Sequence, residues 1–597
     1  MIRALFLSAF LSVFLCVPAA FAATYYVNYA TGTDTNAGTS VAPWKHAPGD
    51  ANATGNAKSV ALKAGDTVQF AAGVTYYGSI AVPASGAVTQ PITYEGTGWG
   101  KGQAVLSGYA SAVLSFAREA DNPTLSVATL TSGLAPGITS VVTIDGTVTY
   151  LANDSNSFDP LFPDEDANAY AASEMVGSGQ NWTFTDSKLA AQLAQVPTSQ
   201  IPNLIFRAYV ASINNINMAV TGFNPGTGAL SLSGPYVAPG TPFYTLYNNP
   251  NFIGSSNHYP EYAVQNGQII AAVAPGAHTV AVSSLPYAIQ IDYKSYVTVD
   301  GFTVQGYGAN DGRAIQAFNG TGITITNNTL SQLAAPNLYS YSAIYARNIA
   351  SLMIAANDVG SITYGAGIAA SQSVNVAVSN NIIDATGWTG VVIYDDQDAA
   401  ITNNRIMNLM GTHADGIIAY DVNTANWPQC QNVTIANNQI TNGSIGIAVE
   451  GDLAKQAPST TPDDFTIEYN VVTGEDQWAF GDWGMLNTAL VTGNIFLVNA
   501  GAYGAWDISL SSINMSYVAN IVSNFGTISS KSSALFTSIT SLSAGTPPAG
   551  ANNIVNTALS DELTNELVSP GSLTPDIGAL LRPLPPPLQI GVDWTAP

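Results

Sequence analysis

The chain has 597 residues, a formal net charge of −24 and only 9% charged residues. This acidic balance argues against nucleic acid as a partner, and it would repel a polyanionic glycan unless a cation or a local basic patch intervened. After the N-terminus, no apolar run approaches the roughly 18 residues of a membrane span. We therefore expect a surface covered by uncharged polar side chains and no membrane span.

Residues 1–22 predict a secretory signal peptide. Arg3 precedes an apolar run that extends to Val17, and Ala20-Phe21-Ala22 forms a small-x-small cleavage site. Cys16 lies inside this signal, so Cys430 would be the one cysteine of the mature chain and no intrachain disulfide can form. We expect a secreted or periplasmic protein.

A repeated turn dominates residues 290–562. In each copy, an Asn is followed two positions later by an aliphatic residue or Phe, and short runs of alternating apolar residues precede most copies. The eight Asn residues are Asn328, Asn357, Asn381, Asn404, Asn438, Asn470, Asn494 and Asn520. Between them lies a second short strand, usually opened by Gly, as in "GVVIY" at 390 and "GIIAY" at 416. Such a unit buries its inward face only by stacking on its neighbours.

These turns, the opening "TYYVNYATGTDTNAGTSVAPWKH" at Thr24 and the segment "PITYEGTGWGKGQAVLSG" resemble the right-handed parallel β-helix, or pectate-lyase-like, superfamily. The resemblance implies an all-β fold, a right-handed parallel β-helix, in which the stacked Asn side chains form an internal ladder of hydrogen bonds. Buried amides need such partners.

The chain divides into five predicted parts. The signal peptide is followed by an N-terminal cap with the first coils at 23–116, an inserted β-rich domain at 117–289, the main β-helix at 290–562, and a C-terminal cap with a Pro-rich tail at 563–597. The insert includes a helix-like run, "SKLAAQLAQ", after Asp186. Some β-helix glycoside hydrolases have a similar arrangement.

Two carboxylates stand out near the strand-opening Gly residues. When these glycines are aligned, Asp415 and Asp482 fall in adjacent columns two coils apart, roughly 10 Å at about 4.8 Å per coil. A separation of about 6.5–9.5 Å suits inverting hydrolysis of a glycosidic bond, in which one carboxyl group is an acid and the other a base.

The residues from Thr412 to Gly416 read "THADG". β-Helix polygalacturonases carry a catalytic Asp in an Asn-Thr-Asp-Gly motif at this strand opening, so the resemblance implies a catalytic role for Asp415 alone. The paired Asp and the Gly-His-Gly motif of those enzymes are absent, which leaves the polygalacturonase reaction unsupported. His413 is a candidate general base or a surface turn residue.

Aromatic residues accompany these carboxylates. Trp388, Trp483 and Tyr503 fall in the same two columns, and Trp478 lies in the turn "GEDQWAFGDW". Flat aromatic walls bind the apolar faces of sugar rings, although the same residues also suit the packing of a turn.

A second acidic group lies at the far end of the same strands. Asp395 and Asp421 occupy equivalent places on neighbouring coils, and Tyr394, Tyr420 and Glu450 form the column before them. Two carboxylates about 5 Å apart raise one pKa or share a cation. This cluster is a retaining pair, a calcium site or a structural feature.

The sequence therefore predicts a polysaccharide-active protein, with a glycoside hydrolase using Asp415 and Asp482 as the leading hypothesis. No cofactor is required, and calcium is possible. A polysaccharide lyase or uronate C5-epimerase is the first alternative, in which His413, Tyr420 and Arg347 would supply the base and neutralise the uronate. A non-catalytic surface or glycan-binding protein is the second.

Overall fold

The computed structural model describes residues 22–555 apart from 121, 138–139, 155–169, 172–173, 195, 212–213, 235–242, 255–259, 309–312, 334–341, 363–364, 410–413, 422–428, 452–462, 484–485, 501, 509–511, 524–526, 529–534, 538–539 and 542–553. The predicted signal peptide, except for Ala22, and the predicted tail at 563–597 lie outside these residues. None of the helices within them is long and apolar enough to cross a membrane.

Short parallel strands stack coil upon coil, and each coil of the main stack contributes one strand to each of three walls, which we name sheets A, B and C. Strands of sheets A and B connect into one 22-stranded sheet, whereas sheet C has 13 strands. The predicted all-β, right-handed parallel β-helix is confirmed.

The strands of each sheet pair in register with those of the next coil. Sheet A contains Ile80–Ala81, Ile289–Asp292, Ala366–Ser371, Val391–Tyr394, Asp415–Tyr420, Ile445–Glu450, Trp478–Asp482, Gly504–Ile508 and Thr527–Ile528. Sheet B contains Thr24–Val27, Thr67–Phe70, Ile92–Glu95, Val297–Asp300, Val374–Ser379, Gln397–Thr402, Gln431–Ala436, Phe465–Glu468, Asn487–Thr492, Ile513–Val518 and Leu535–Thr537. The long strands Ile315–Thr326 and Ser342–Ala355 belong to both sheets.

Sheet C closes the third side of each coil. Its strands are Thr75–Tyr77, Ala104–Ser107, Phe302–Gln305, Thr329–Ser331, Asp358–Ile362, Ile382–Thr386, Arg405–Met407, Gln439–Thr441, Val471–Glu475, Ile495–Val498, Ile521–Val522, Thr540–Ser541 and Ile554–Val555. Aliphatic side chains from all three sheets fill the interior in columns, such as Ile325, Ile354 and Val378. Their burial stabilises the stack because each coil covers the apolar face of the next.

The predicted Asn ladder is confirmed at the turn between sheets B and C. All eight Asn side chains are buried, and each of the first seven donates an Nδ2 proton to the Oδ1 atom of the next at 2.9–3.0 Å. The same Oδ1 atom accepts the backbone N–H of the preceding Asn, as Asn404 does for Asn381 at 3.0 Å. The second Nδ2 proton reaches a carbonyl of the previous coil, for example from Asn404 to Val378 at 2.9 Å.

The insert between the first coils and the main stack contains a mostly antiparallel barrel, in which only Thr147–Leu151 and Glu261–Gln265 pair in parallel among the described strands, and an antiparallel sheet. Strands Tyr109–Arg118, Ser126–Thr129, Val142–Ile144, Thr147–Leu151, Glu261–Gln265, Gln268–Ala271 and Gly276–Ser283 close a barrel. Strands Tyr170–Ala171, Glu174–Ser178, Asn181–Thr185, Ile205–Ala211, Asn214–Asn224, Ala229–Ser233 and Phe243–Tyr247 form a seven-stranded sheet. The predicted boundary at 117 falls inside the first barrel strand.

Helices are few and short in the described residues. Gly55–Ser59 lies near the N-terminus, Lys188–Gln192 lies in the insert, and Ile201–Asn203 and Pro250–Phe252 are 3₁₀ helices. Asp186 accepts the backbone N–H of Lys188 at 2.9 Å, so the run "SKLAAQLAQ" begins a helix where the sequence predicts one.

Replacing Asn404 by Ala is expected to destabilise the stack by about 2–6 kcal/mol, because two buried donors of Asn381 lose their acceptor and each such loss costs about 1–3 kcal/mol. Chemical denaturation followed by circular dichroism measures the effect. Asn408→Gly is the matched control, since the exposed Asn408 side chain bonds to Asp384 and Asn442 on the surface, and Gly tolerates the φ of 53° at this position. Equal shifts for the two variants would contradict a special role for the buried ladder.

Candidate active site

The outer face of sheet A carries a cluster of buried side chains that is separate from the interior core. Successive residues of a strand point to opposite faces; in Asp415–Tyr420, Ile417 and Ala419 join the interior core whereas Ile418 belongs to the outer cluster. The members of this cluster, which we call the aromatic floor, are Tyr345, Ala366, Ala369, Trp388, Val392, Tyr394, Ile418, Ile445 and Ala448, with Phe318, Tyr420, Trp478 and Trp483 packed against them.

Asp415 opens its strand at one edge of this floor. It pairs with Ile445, and Ile445 pairs with Trp478 on the following coil, so Asp415 shares a column with two members of the aromatic floor. Gly416 follows because the coils approach closely here: a Cβ on Gly416 would lie 2.4 Å from Ile440 Cγ2 and 2.5 Å from the Gly446 carbonyl oxygen. The Asp-Gly pair thus directs a carboxyl group outwards where a larger second residue would not fit.

The Asp415 carboxyl group is almost withdrawn from water. Its residue is 1% exposed, and Oδ1 has no hydrogen-bond partner among the described residues. Burial raises the pKa of Asp415 well above its ordinary range, and the negative charge of Glu450 raises it further. Asp415 therefore retains a proton at pH values where an ordinary aspartate has lost it.

Glu450 ends the neighbouring strand of the same face. The predicted column of Tyr394, Tyr420 and Glu450 is confirmed by the pairing of these three residues on successive coils. Burial raises the pKa of Glu450 to about 7. The outer face thus holds two carboxyl groups that are both shifted towards the protonated form.

The predicted placement of Asp482 beside Asp415 is wrong. The alignment placed Gly484, which begins the segment "GMLNT", with the strand-opening glycines, whereas the strand is Trp478–Asp482 and Asp482 pairs with Val449. Val449 pairs in turn with Ala419, four positions beyond Asp415.

Asp482 therefore lies in a column that belongs to the interior core. Its Oδ1 accepts a hydrogen bond from Ser512 Oγ at 2.8 Å, and the Tyr517 hydroxyl lies 3.5 Å from its Oδ2. Both Asp482 and Tyr517 are fully buried. An inward carboxylate bound to core hydroxyl groups does not face a substrate, so the predicted pairing with Asp415 has no geometric basis.

Asp395 and Asp421 follow the paired residues Tyr394 and Tyr420, as the alignment predicts. The loop that returns to the stack holds the Asp421 carboxylate: Cys430 N donates to Oδ1 at 2.7 Å and Gln429 Nε2 to Oδ2 at 3.0 Å. Within the described ranges, no group of three or more His, Cys, Asp or Glu side chains is placed to hold a metal ion. A calcium site at Asp395 and Asp421 stays a prediction.

Glu475 is a further buried carboxyl group, which the sequence analysis missed. It ends the strand Val471–Glu475, and a Cβ on Gly443 would lie 2.7 Å from its Oε2 and 3.1 Å from the Ala414 carbonyl oxygen, next to Asp415. Burial raises the pKa of Glu475 well above its ordinary range, with smaller contributions from Asp476 and Asp415. The burial comes from turn packing, for which "VVTGED" contains no signal.

Some of the predicted aromatic residues are buried in the aromatic floor, and others lie at its exposed edge, which we call the rim. Trp388 and Tyr394 are buried in the floor, whereas Tyr503 is 70% exposed and stacks on Trp478 at 5.0 Å between ring centroids. The predicted column positions of Trp483 and Tyr503 are wrong, since Trp478 and Gly504 occupy the Asp415 column.

Trp483 lies at the floor's edge. Its ring meets that of Trp478 edge-on, with 6.3 Å between the ring centroids, and its Nε1 donates to Asp507 Oδ2 at 3.0 Å. Trp478, Trp483 and Tyr503 form one aromatic wall beside the floor.

The row of tyrosines continues across the floor. The ring centroids of Tyr394 and Tyr420 lie 5.5 Å apart, and the hydroxyl oxygens of Tyr345 and Tyr394 are 2.6 Å apart, within hydrogen-bond distance. Arg347 is exposed on the same face, in the column that leads through Ser371 and Tyr394 to Tyr420. His413 lies outside the described residues, and its role stays a prediction.

Comparison with known proteins supports the fold. A model of the right-handed β-helix region matches residues 278–424, which confirms the resemblance to right-handed parallel β-helix proteins. No curated protein matches the sequence.

Similar solved structures include one titled "Glycoside hydrolase", with 10% identity, coverage of 90% of this chain and 98% of that chain, and a TM-score of 0.49. Another is XylC in complex with xylose, with 13% identity, 83% and 75% coverage and a TM-score of 0.44. A third is an alginate lyase from Paenibacillus sp. str. FPU-7, with 11% identity, 74% and 92% coverage and a TM-score of 0.30. At such identities, the activity of this chain has to be argued from its own residues.

The electrostatics of Asp415 generate a stability prediction. An acid whose pKa is higher in the folded than in the unfolded chain costs stability as the pH rises from its unfolded pKa, about 3.9 for Asp, through its folded pKa. Asp415→Asn removes that cost. We expect the free energy of unfolding of the variant, relative to that of the wild type, to increase from about pH 5 to about pH 8. Chemical denaturation of both proteins at both pH values measures this difference. A constant difference across this range would contradict a pKa raised by burial of the Asp415 carboxyl group.

Proposed function

We propose that the protein is an exported, polysaccharide-active glycoside hydrolase in which Asp415 is the general acid and Glu450 the general base. The observation that carries this proposal is the presence, on one outer face, of two carboxyl groups with raised pKa values beside an aromatic floor. Export rests on the signal peptide that residues 1–22 predict.

Hydrolysis of a glycosidic bond needs one protonated and one ionised carboxyl group. Asp415, whose pKa is raised well above its ordinary range, holds the proton that the leaving oxygen takes up. Glu450 ionises near pH 7 and then accepts a proton from the attacking water. The charge of ionised Glu450 raises the pKa of Asp415, so the two groups divide the roles between them.

The placement of the two residues favours an inverting reaction. Glu450 is five positions beyond Ile445, the partner of Asp415, which corresponds to at most about 16 Å along the strand. The charge of Glu450 acts on the Asp415 carboxyl group across the face. A gap wide enough for water suits a base that activates water, whereas direct attack on the sugar requires carboxyl groups about 5 Å apart.

The aromatic residues provide the sugar-binding surface in this proposal. The exposed Tyr503, backed by Trp478, offers a flat ring at the rim. Tyr394 and Tyr420 lie on the floor between the two carboxyl groups and the N-terminal coils. C–H groups of sugar rings pack on such surfaces without requiring charge.

The alternative of a lyase or uronate epimerase has weaker support. Arg347 lies three coils from Tyr420, about 14 Å, so these two side chains do not reach the same sugar ring. A non-catalytic glycan-binding protein would use the same aromatic surface but has no need of a buried carboxyl group such as Asp415, whose Oδ1 has no hydrogen-bond partner among the described residues. Activity measurements separate these alternatives.

Asp415→Asn and Glu450→Gln are each expected to lower kcat/KM by about 10²–10⁴-fold, because each removes one proton-transfer group. Release of reducing ends from a panel of neutral and acidic polysaccharides measures this, with ultraviolet absorbance of unsaturated products followed in parallel. Asp482→Asn is the matched control: it is buried but faces the core, so we expect nearly wild-type kcat/KM below its unfolding temperature.

Wild-type activity in Asp415→Asn would disprove the proposed acid. Absorbance of an unsaturated product would indicate a lyase instead. Glycan binding without any product would favour the non-catalytic alternative.

The pH dependence of kcat/KM is expected to be bell-shaped. Activity should rise with pH through about 7 as Glu450 ionises, and fall at higher pH as Asp415 loses its proton. Initial rates across a series of buffers of constant ionic strength measure the profile. A rising limb near pH 4, the ordinary range of a glutamate, would show that Glu450 is not the base.

A further inference from the structure

A threonine lies next to Asp415 in the same outer column. Thr389 occupies the position of Asp415 on the preceding coil: Gly390 N donates to the Asp415 carbonyl oxygen at 2.9 Å, as Gly367 N donates to that of Thr389. One coil earlier, the same position holds Ala366, a member of the aromatic floor. Equivalent residues on neighbouring coils are about 4.8 Å apart, so the Thr389 and Asp415 side chains are nearest neighbours on the outer face.

Polar atoms of both side chains are buried without a hydrogen bond. Thr389 is fully buried, and its Oγ1, like Asp415 Oδ1, has no hydrogen-bond partner among the described residues. Such a hydroxyl group costs stability, because it gives up hydrogen bonds to water and gains none in the fold. Valine has the same branched shape without this cost. Packing alone therefore does not account for a threonine at position 389.

A hydroxyl group in this place acquires a partner when its neighbour loses a proton. The O–H group of threonine donates, and an ionised carboxyl group accepts through both of its oxygens. Hydrogen bonds to a charged acceptor are stronger than those between neutral groups, and those at catalytic groups often tighten only in the transition state. The hydroxyl group of Thr389 thus suits the carboxylate of Asp415 better than its protonated form.

We propose that Thr389 is a positioning residue that donates a hydrogen bond from Oγ1 to Asp415 Oδ1 as Asp415 gives its proton to the leaving oxygen. The proton passes to the glycosidic oxygen as the bond from that oxygen to the sugar carbon breaks, and the charge left on Asp415 is stabilised by the hydroxyl group. This inference rests on the proposed function for the identity of the acid. Two other carboxyl groups, those of Glu450 and Glu475, are coupled to Asp415, and negative charge on either opposes its ionisation.

Thr389→Val tests the proposal on the polysaccharide from which the wild type releases reducing ends. A hydrogen bond to a charged group shifts an equilibrium by about 10–100-fold, so its loss should raise the pKa of Asp415 and move the high-pH limb of kcat/KM upwards by about 1–2 pH units. The weaker acid should also lower kcat by about 3–10-fold, since rates follow acid strength in part. We expect KM to stay unchanged, because the buried hydroxyl group does not touch the sugar.

Two further variants separate this role from a structural one. Thr389→Ser restores the hydroxyl group and should keep the wild-type pH profile and kcat. Thr386→Val is the matched control, since Thr386 is also fully buried but its Oγ1 donates to the Thr389 carbonyl oxygen at 3.4 Å. We expect Thr386→Val to be less stable in chemical denaturation and to keep the wild-type high-pH limb. Thr389→Val should be at least as stable as the wild type.

A double-mutant cycle tests the same hydrogen bond without substrate. Asp415→Asn is made in the wild type and in Thr389→Val, and the four proteins are denatured at about pH 5 and about pH 10. The stability that Asp415→Asn gains from the lower to the higher pH should be larger in Thr389→Val, because the Asp415 carboxylate has lost its donor there.

Each way of failing gives a different result. An unmoved high-pH limb in Thr389→Val, the same shift in Thr389→Ser, or an equal gain in both halves of the cycle would overturn the inference. Coupling in the cycle without release of reducing ends in the wild type would disprove the hydrolase and retain the hydrogen bond. Loss of activity in Asp415→Asn with a wild-type pH profile in Thr389→Val would retain the hydrolase and disprove the role of Thr389.

Discussion

The spacing of the coils is the constraint on which the rest of the structure depends, and the buried Asn ladder helps to fix it. An amide inside an apolar core is tolerated only when its donors and acceptor are satisfied. In this stack, the Oδ1 atom of Asn404 accepts two hydrogen bonds from Asn381, and the Nδ2 atom of Asn404 donates to Asn438 and Val378. These bonds are made only when successive coils keep the spacing of parallel strands. Changes in coil length are therefore confined to turns, and the large insert enters between the first coils and the main stack.

The same spacing creates the candidate site. Because equivalent positions stack one above another, outward residues on sheet A form columns, and large side chains in adjacent columns cover one another. This covering buries Asp415 on a surface that would otherwise be open to water, and burial is the main cause of its raised pKa. Tyr420 and Glu450 occupy the last column of the face, where Glu450 also has a pKa raised by burial. The chemistry proposed here thus depends on packing between coils more than on any single motif.

The sequence predicts those features that repeat with every coil, and it fails where a coil departs from the repeat. The Asn residues could be found because each is followed by an aliphatic residue at a fixed offset, and Asp415 because a Gly follows it. Asp482 was misplaced because its strand opens with Trp478 and Ala479, so the alignment on Gly484 gave the wrong register. A slip of this kind moves a residue between inner and outer faces. Glu475 lies at a turn between sheets, where burial depends on tertiary packing that no local pattern records.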